Sequence, residues 1–101
     1  SYGAVSMAKA ALESATRQLA FELAPSKIAC NCIQAGVTLT PALKKIPGYK
    51  KMINNAKLNN PHHRLTLTAD ISKVAVQIGL SESYWMTGNT IRVDGGESLT
   101  G

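Results

Sequence analysis

Between residues 2 and 24, apolar side chains recur at three- and four-residue steps, at Val5, Ala8, Leu12, Ala15, Leu19 and Leu23, while Glu13, Arg17 and Gln18 fall elsewhere on the wheel. That period predicts a helix of about six turns. Pro25 ends it, because the residue before a proline is driven out of the helical region. The pattern changes over residues 27–34, where Ile28, Cys30, Cys32 and Ile33 gather around Asn31 as a short, mostly buried strand. Gly36 then releases the chain into a threonine-rich loop. Residues 41–45 suit a brief helical turn and Pro47-Gly48 breaks it. Residues 49–59 carry Met52, Ile53, Ala56 and Leu58 on a second amphipathic stretch. After Pro61, Thr68-Ala69-Asp70-Ile71 has the form of a helix start, with Val74, Ala75 and Ile78 as a core-facing stripe up to Leu80. Residues 90–93 read as a last buried strand and Asp94-Gly95-Gly96 as a tight turn, with Tyr84, Trp85 and Met86 expected to pack the last helix and strand.

The order is helix, strand, one or two short helices, helix, strand. Strands separated by helices imply a parallel sheet, so the stretches at 28–33 and 90–93 should be parallel neighbours in the second half of a layered α/β fold.

The length, 101 residues, allows one small core and not two. No run of about 18 apolar residues occurs and no charged-then-apolar leader opens the chain, so no membrane partner is expected and the cytoplasm is the default compartment. A chain that opens inside a helical pattern, with no strand or cap before it, is expected to be a cut piece. The net charge of +5 comes partly from Lys44, Lys45, Lys50, Lys51 and Lys57. A solvated helical face is the preferred reading, with an acidic carrier protein as the alternative. Nucleic acid is not expected, since no aromatic stacking platform accompanies the lysines. Cys30 and Cys32 would share one face of a strand, which suits two reduced thiols better than a disulfide. The adjacent His62 and His63 have no third ligand at zinc spacing, and Ser6 lacks partners for a hydrolase triad.

Tyr2 and Lys9 lie seven residues apart, about 700° around a helix and about 10.5 Å along it, so they share a face. Helical side chains lean toward the N-terminus, which sends the Lys9 stem back toward Tyr2. An ammonium near a phenol favours the phenolate and makes the hydroxyl a better proton donor or oxyanion partner. By spacing alone, a tyrosine and a lysine that share a face are usually an accident of surface composition.

The surrounding residues bear on that choice. Tyr2-Gly3-Ala4-Val5-Ser6-Met7-Ala8-Lys9-Ala10-Ala11-Leu12-Glu13 resembles the active-site helix of short-chain dehydrogenase/reductases. Val5 stands where the common Tyr-x-x-x-Lys motif has its tyrosine. The Tyr-x6-Lys spacing is instead similar to the enoyl-acyl-carrier-protein reductase branch, in particular its bacterial NADPH-using type. Asn31-Cys32-Ile33-Gln34-Ala35-Gly36-Val37-Thr38-Leu39-Thr40-Pro41 resembles that family's strand and loop, although Leu39 departs from the polar residue expected there. Met86-Thr87-Gly88-Asn89-Thr90-Ile91-Arg92-Val93-Asp94-Gly95-Gly96 resembles its closing strand and glycine turn, a structural marker without a catalytic role.

The resemblance implies an α/β chain that is the C-terminal part of a Rossmann-type doubly wound parallel sheet. Residues 1–101 would form a single partial domain whose N-terminal nucleotide-binding half is absent. It further implies that Tyr2 meets a thioester carbonyl oxygen and Lys9 holds the nicotinamide ribose hydroxyls. Gly36 would let backbone approach the cofactor, Val37 and Thr38 would offer main-chain groups to the carboxamide, and Thr40 would donate to the pyrophosphate. Read without it, Gly36 makes a turn and the threonines satisfy nearby backbone groups. The implied cofactor is NADPH or NADH, with NADPH favoured by the resemblance. The implied substrate is an enoyl thioester, on acyl carrier protein or coenzyme A, and the implied assembly is a homo-oligomer, a dimer or tetramer. Another short-chain carbonyl reductase is the nearest alternative, opposed by Val5, and a non-catalytic assembly piece is the other. No glycine-rich strand-to-helix turn for the pyrophosphate occurs in these residues. A parallel sheet without its central strands would expose a long apolar edge, so these residues alone are expected to fold poorly or to depend on partners.

Overall fold

The long periodic segment folds as one helix, α1 (Gly3–Leu23), closed by a 3-10 turn at Ala24–Ser26. After it come β1 (Cys32–Ala35), α2 (Pro41–Lys44), α3 (Tyr49–Asn59), α4 (Thr68–Leu80), β2 (Thr90–Val93) and a second 3-10 turn at Glu97–Leu99. This computed structural model describes residues 3–100. The element order is the one the hydrophobic pattern predicts. β1 and β2 pair. Cys32 N–H donates to Asn89 C=O at 2.9 Å, and Gly36 N–H, four residues on, donates to Val93 C=O at 3.1 Å, equally four residues on. A register that advances together on both strands is parallel, so the α/β class with a parallel pair bridged by helices holds. No helix among the described residues is long and apolar enough to cross a membrane.

The chain divides into two compact units. The first contains α1, the approach to β1 as far as Cys32, and Leu80–Ile91. Thr16 and Ala20, buried among its described residues, are one turn apart on α1, and a Cβ added to Gly88 would lie 3.5 Å from that of Ala20. Small side chains are buried where backbone comes close, while the larger Leu12 (56% exposed) and Leu19 (45% exposed) of the same stripe stay outside.

The strand prediction needs correction here: β1 starts at Cys32, not near residue 27. Lys27, in the left-handed region at φ 59°, closes the first 3-10 turn, and residues 28–31 belong to no strand. Ile28 N–H bonds back to Leu23 C=O, while Cys30 and Asn31 find their partners in the loop before β2, largely through side chains. Thr87 Oγ1 accepts from Cys30 N–H at 3.0 Å, Asn31 Nδ2 donates to Met86 C=O at 2.9 Å, and Asn31 Oδ1 accepts from Asn89 N–H at 3.1 Å. Ile28 is consequently half exposed, and both cysteines are free and only partly covered. A second correction concerns Trp85, which is 87% exposed rather than packed. It touches Tyr84 edge-to-face, and the Lys27 ammonium lies 5.8 Å from the Tyr84 ring centre.

The second unit holds Ile33–Gly79 and the chain from Arg92 on. Ala56, Asn60, Leu65 and Thr66 are its buried residues. Asn60 is satisfied on both sides, since its Nδ2 donates to Asp94 C=O at 3.0 Å and its Oδ1 accepts from His62 N–H at 2.8 Å. On α4, Val74 and Ile78 are half buried but Ala75 is exposed, so the core-facing stripe is narrower than the pattern suggests.

The N-terminus of α4 is held by Asp70, whose carboxylate accepts from Leu67 N–H at 2.8 Å and takes both guanidinium nitrogens of Arg64, at 2.7 and 3.1 Å. Hydrogen bonds from Arg64 and then Leu67 bring the Asp70 pKa from 3.8 down to about 2. A depressed carboxyl contributes stability that is complete above pH 3.8 and lost as pH falls toward about 2. The thermal midpoint advantage of the wild type over Asp70→Asn is therefore expected to shrink across that window. Circular dichroism melts at several acidic pH values check it. The effect should be small because the pair is exposed to solvent.

Candidate active site

Lys9 sits two turns into α1 with its side chain exposed, on a helix that runs unbroken from Gly3 to Leu23. Tyr2 lies outside the described residues. Lys9 forms no ion pair among the described residues. Val5, in the position of the commoner tyrosine, carries no hydroxyl with which to replace it.

The other predicted residues fall together in the second unit, on the loop that leaves the C-terminal end of β1. In parallel α/β sheets that end of a strand is where ligands are received. Gly36 is needed for space, because a Cβ on it would lie 2.4 Å from Thr66 Oγ1, 2.8 Å from Glu97 Oε2 and 3.0 Å from Asp94 Cβ. Val37 is fixed at both main-chain groups: its N–H donates to Glu97 Oε2 at 3.0 Å and its C=O accepts from Thr66 N–H at 3.2 Å. Thr38 donates its hydroxyl to Gly36 C=O at 2.9 Å, but its own N–H and C=O have no hydrogen-bond partner among the described residues. Of the two main-chain pairs expected to meet a carboxamide, only that of Thr38 is uncommitted.

Thr40 is the N-cap of α2, with extended backbone, Pro41 following at the first helical position, and Oγ1 accepting from Leu43 N–H at 3.2 Å. Acceptance uses a lone pair and leaves the hydroxyl proton free to donate. The local roles expected of both threonines are thus present, and Thr40 keeps a donor in reserve. Beside this loop, Val37, Lys51, Met52, Asn55, Asn59 and Glu97 line an open cavity of about 390 Å³. Gly36 with its crowded surroundings, the open main chain of Thr38 and the Thr40 hydroxyl suit the nicotinamide end of a dinucleotide.

Two residues of this site escaped the sequence reading, Thr66 and Glu97. The signal for Glu97 was its place directly after two glycines at the end of a strand, where both Gly95 (φ 63°) and Gly96 (φ 88°) are left-handed. Asp94 holds that turn, accepting from Gly96 N–H at 3.0 Å and Ser98 N–H at 3.1 Å. Burial alone would raise the Asp94 pKa, but these hydrogen bonds, together with the Ser98 hydroxyl and the charge of Arg92, lower it.

A long helix carrying Lys9, a parallel strand opening into a glycine-threonine loop, and a second parallel strand closed by a glycine turn define a Rossmann-type short-chain dehydrogenase/reductase segment. Residues 1–98 match the family described as enoyl-(acyl carrier protein) reductase, and the chain belongs to that family. It is 38% identical over 100 residues to the chloroplastic enoyl-[acyl-carrier-protein] reductase [NADH] 2 of Oryza sativa, a match covering 98% of this chain and 27% of that protein. It is also 38% identical over 95 residues to the peroxisomal 2,4-dienoyl-CoA reductase of Saccharomyces cerevisiae, covering 93% of this chain and 32% of the relative. Among solved structures, the enoyl-acyl carrier protein reductase of Bacillus cereus with NADP+ and indole naphthyridinone superimposes with a TM-score of 0.90 at 28% identity, covering 99% of this chain and 39% of that one. The chain spans about a third of the length of the curated relatives it matches.

Proposed function

We propose that this chain supplies the catalytic helix and the nicotinamide end of the cofactor site of an NAD(P)H-dependent enoyl-thioester reductase. The rest of the nucleotide site would belong to an N-terminal half that the chain does not contain. The observation that carries the reading is the family match over residues 1–98, which takes in Tyr2, Lys9 and the loop at 36–40. A bound NAD(P)H supplies the hydride that reaches the β-carbon of the enoyl thioester. The Tyr2 phenol donates to the thioester carbonyl oxygen as negative charge develops there. Lys9 favours the charged form of that phenol and hydrogen-bonds the ribose hydroxyls. Thr38 offers its main-chain N–H and C=O to the carboxamide, and Thr40 gives its hydroxyl proton to the pyrophosphate. Val37 holds the loop in place, since its single N–H is committed to Glu97.

The likeness to a 2,4-dienoyl-CoA reductase favours a second reading with the same hydride chemistry on a coenzyme A ester. Oxidation of NADPH and of NADH by the complete protein that contains this chain separates the possibilities. Crotonyl thioester on acyl carrier protein, crotonyl-CoA, a 2,4-dienoyl-CoA and a 3-ketoacyl thioester are the substrates to compare. Turnover of an enoyl thioester is expected. Turnover of the ketone alone would replace the reading with carbonyl reduction, and no turnover at all would favour an assembly role. The reading includes a cytoplasmic homo-oligomer, to be checked by fractionation and light scattering.

A further inference from the structure

The turn that follows β2 has no part in the proposed reaction, yet it is built to deliver one side chain. Asp94 gathers the amides of Gly96 and Ser98, and the consecutive left-handed glycines turn the chain back so that Glu97 reaches the loop leaving β1. A side chain at either glycine would be strained, because both lie at positive φ and an added Cβ would be tight, 3.1 Å from His62 Cδ2 at Gly95 and 3.3 Å from Pro61 Cγ at Gly96. At the loop, Glu97 Oε2 takes the Val37 amide at 3.0 Å, while Thr66 N–H holds the Val37 carbonyl at 3.2 Å. A residue clamped at both main-chain groups directly precedes Thr38, whose main-chain groups are free. Fixing one peptide sets the direction of the next, because only two soft dihedrals separate them.

We propose that Glu97 is a positioning residue for the loop at 36–40: by anchoring the Val37 amide it sets how Thr38 presents its main-chain groups. Its value to dinucleotide binding rests on the function proposed above, whereas the anchoring is a property of the loop itself.

Amide hydrogen exchange on the complete protein that contains this chain tests the anchoring. The Val37 amide is expected to be at least about tenfold better protected than that of Thr38, as a hydrogen bond to a charged acceptor warrants. Glu97→Ala should remove that margin, and Glu97→Gln, whose side-chain carbonyl can still accept, should keep most of it. The Gly36 amide, bonded to Val93 C=O, reports whether the strand pair persists in each variant. Val37 exchanging as fast as Thr38 in the wild type overturns the proposal, whatever becomes of the variants. So does unchanged Val37 protection in Glu97→Ala.

Titration of the complete protein with NADPH and NADH is the second arm. There Glu97→Ala should weaken binding about tenfold and Glu97→Gln little. Faster Val37 exchange with unaltered dinucleotide affinity would leave Glu97 as the anchor of the loop and count against the cofactor role of the loop.

Discussion

Tyr2→Phe in the complete enzyme is expected to lower kcat by about 10²–10³-fold while leaving the NAD(P)H dissociation constant nearly unchanged. In the proposed reaction the phenol would act on charge that exists only as the reaction proceeds, so its loss would fall on the transition state and not on the bound ground state. Lys9→Ala should fail differently, with kcat reduced and the cofactor dissociation constant raised together, because in the proposed reaction the ammonium would both support Tyr2 and hold the ribose. Lys9→Arg keeps the charge but replaces a compact donor with a planar fork, and should recover binding better than turnover. Steady-state kinetics beside direct cofactor titration of the three variants decide the matter. Near-normal turnover in Tyr2→Phe would make the seven-residue spacing coincidental. Lys9 is suited to such a role by its exposed position on an uninterrupted α1.

Gly36→Ala should be the most damaging single-methyl change in the second unit, destabilising it by about 1–3 kcal/mol, the usual range for forcing a group into filled space. The added carbon would meet Thr66 Oγ1, Glu97 Oε2 and Asp94 Cβ, all at 3.0 Å or less. Thr66 is buried, which leaves its side chain little space, and Glu97 yields by releasing the Val37 amide. Gly79→Ala on α4 is the matched control. Nothing lies within 4 Å of its added Cβ, so the higher helix propensity of alanine should stabilise the chain by about 0.5–1 kcal/mol. Urea denaturation of both variants gives the comparison, and opposite signs are expected. Equal effects would mean that the crowding at Gly36 relaxes without cost.

Periodicity identified α1, α3 and α4 because each carries its apolar residues at helical spacing, and the prolines at 25, 41 and 47 punctuate the chain where elements begin or end. The start of β1 was not legible. Ile28 and Cys30 have the composition of a strand, but Ile28 N–H bonds back to Leu23 C=O and Cys30 meets Thr87 Oγ1 and Gly88 N–H outside any ladder, and pairing across about 57 residues leaves no local trace. The same holds at the loop. Gly36 and the threonines stand out in the sequence, whereas the contacts that immobilise Val37 come from Thr66 and Glu97, which only the fold brings near it. Size and aromaticity predict burial for Trp85, whereas its ring borders only Tyr84 among the described aromatic residues.

That misplaced ring has a practical use. Trp85 is the sole tryptophan of the chain and stands almost wholly in water. Its emission should already lie near that of free indole in the folded chain, so unfolding should shift the wavelength little. Acrylamide should quench it readily. Any protein surface that settles over residues 84–86 will move the emission to shorter wavelength and slow the quencher, making the indole an optical reporter of assembly rather than of folding.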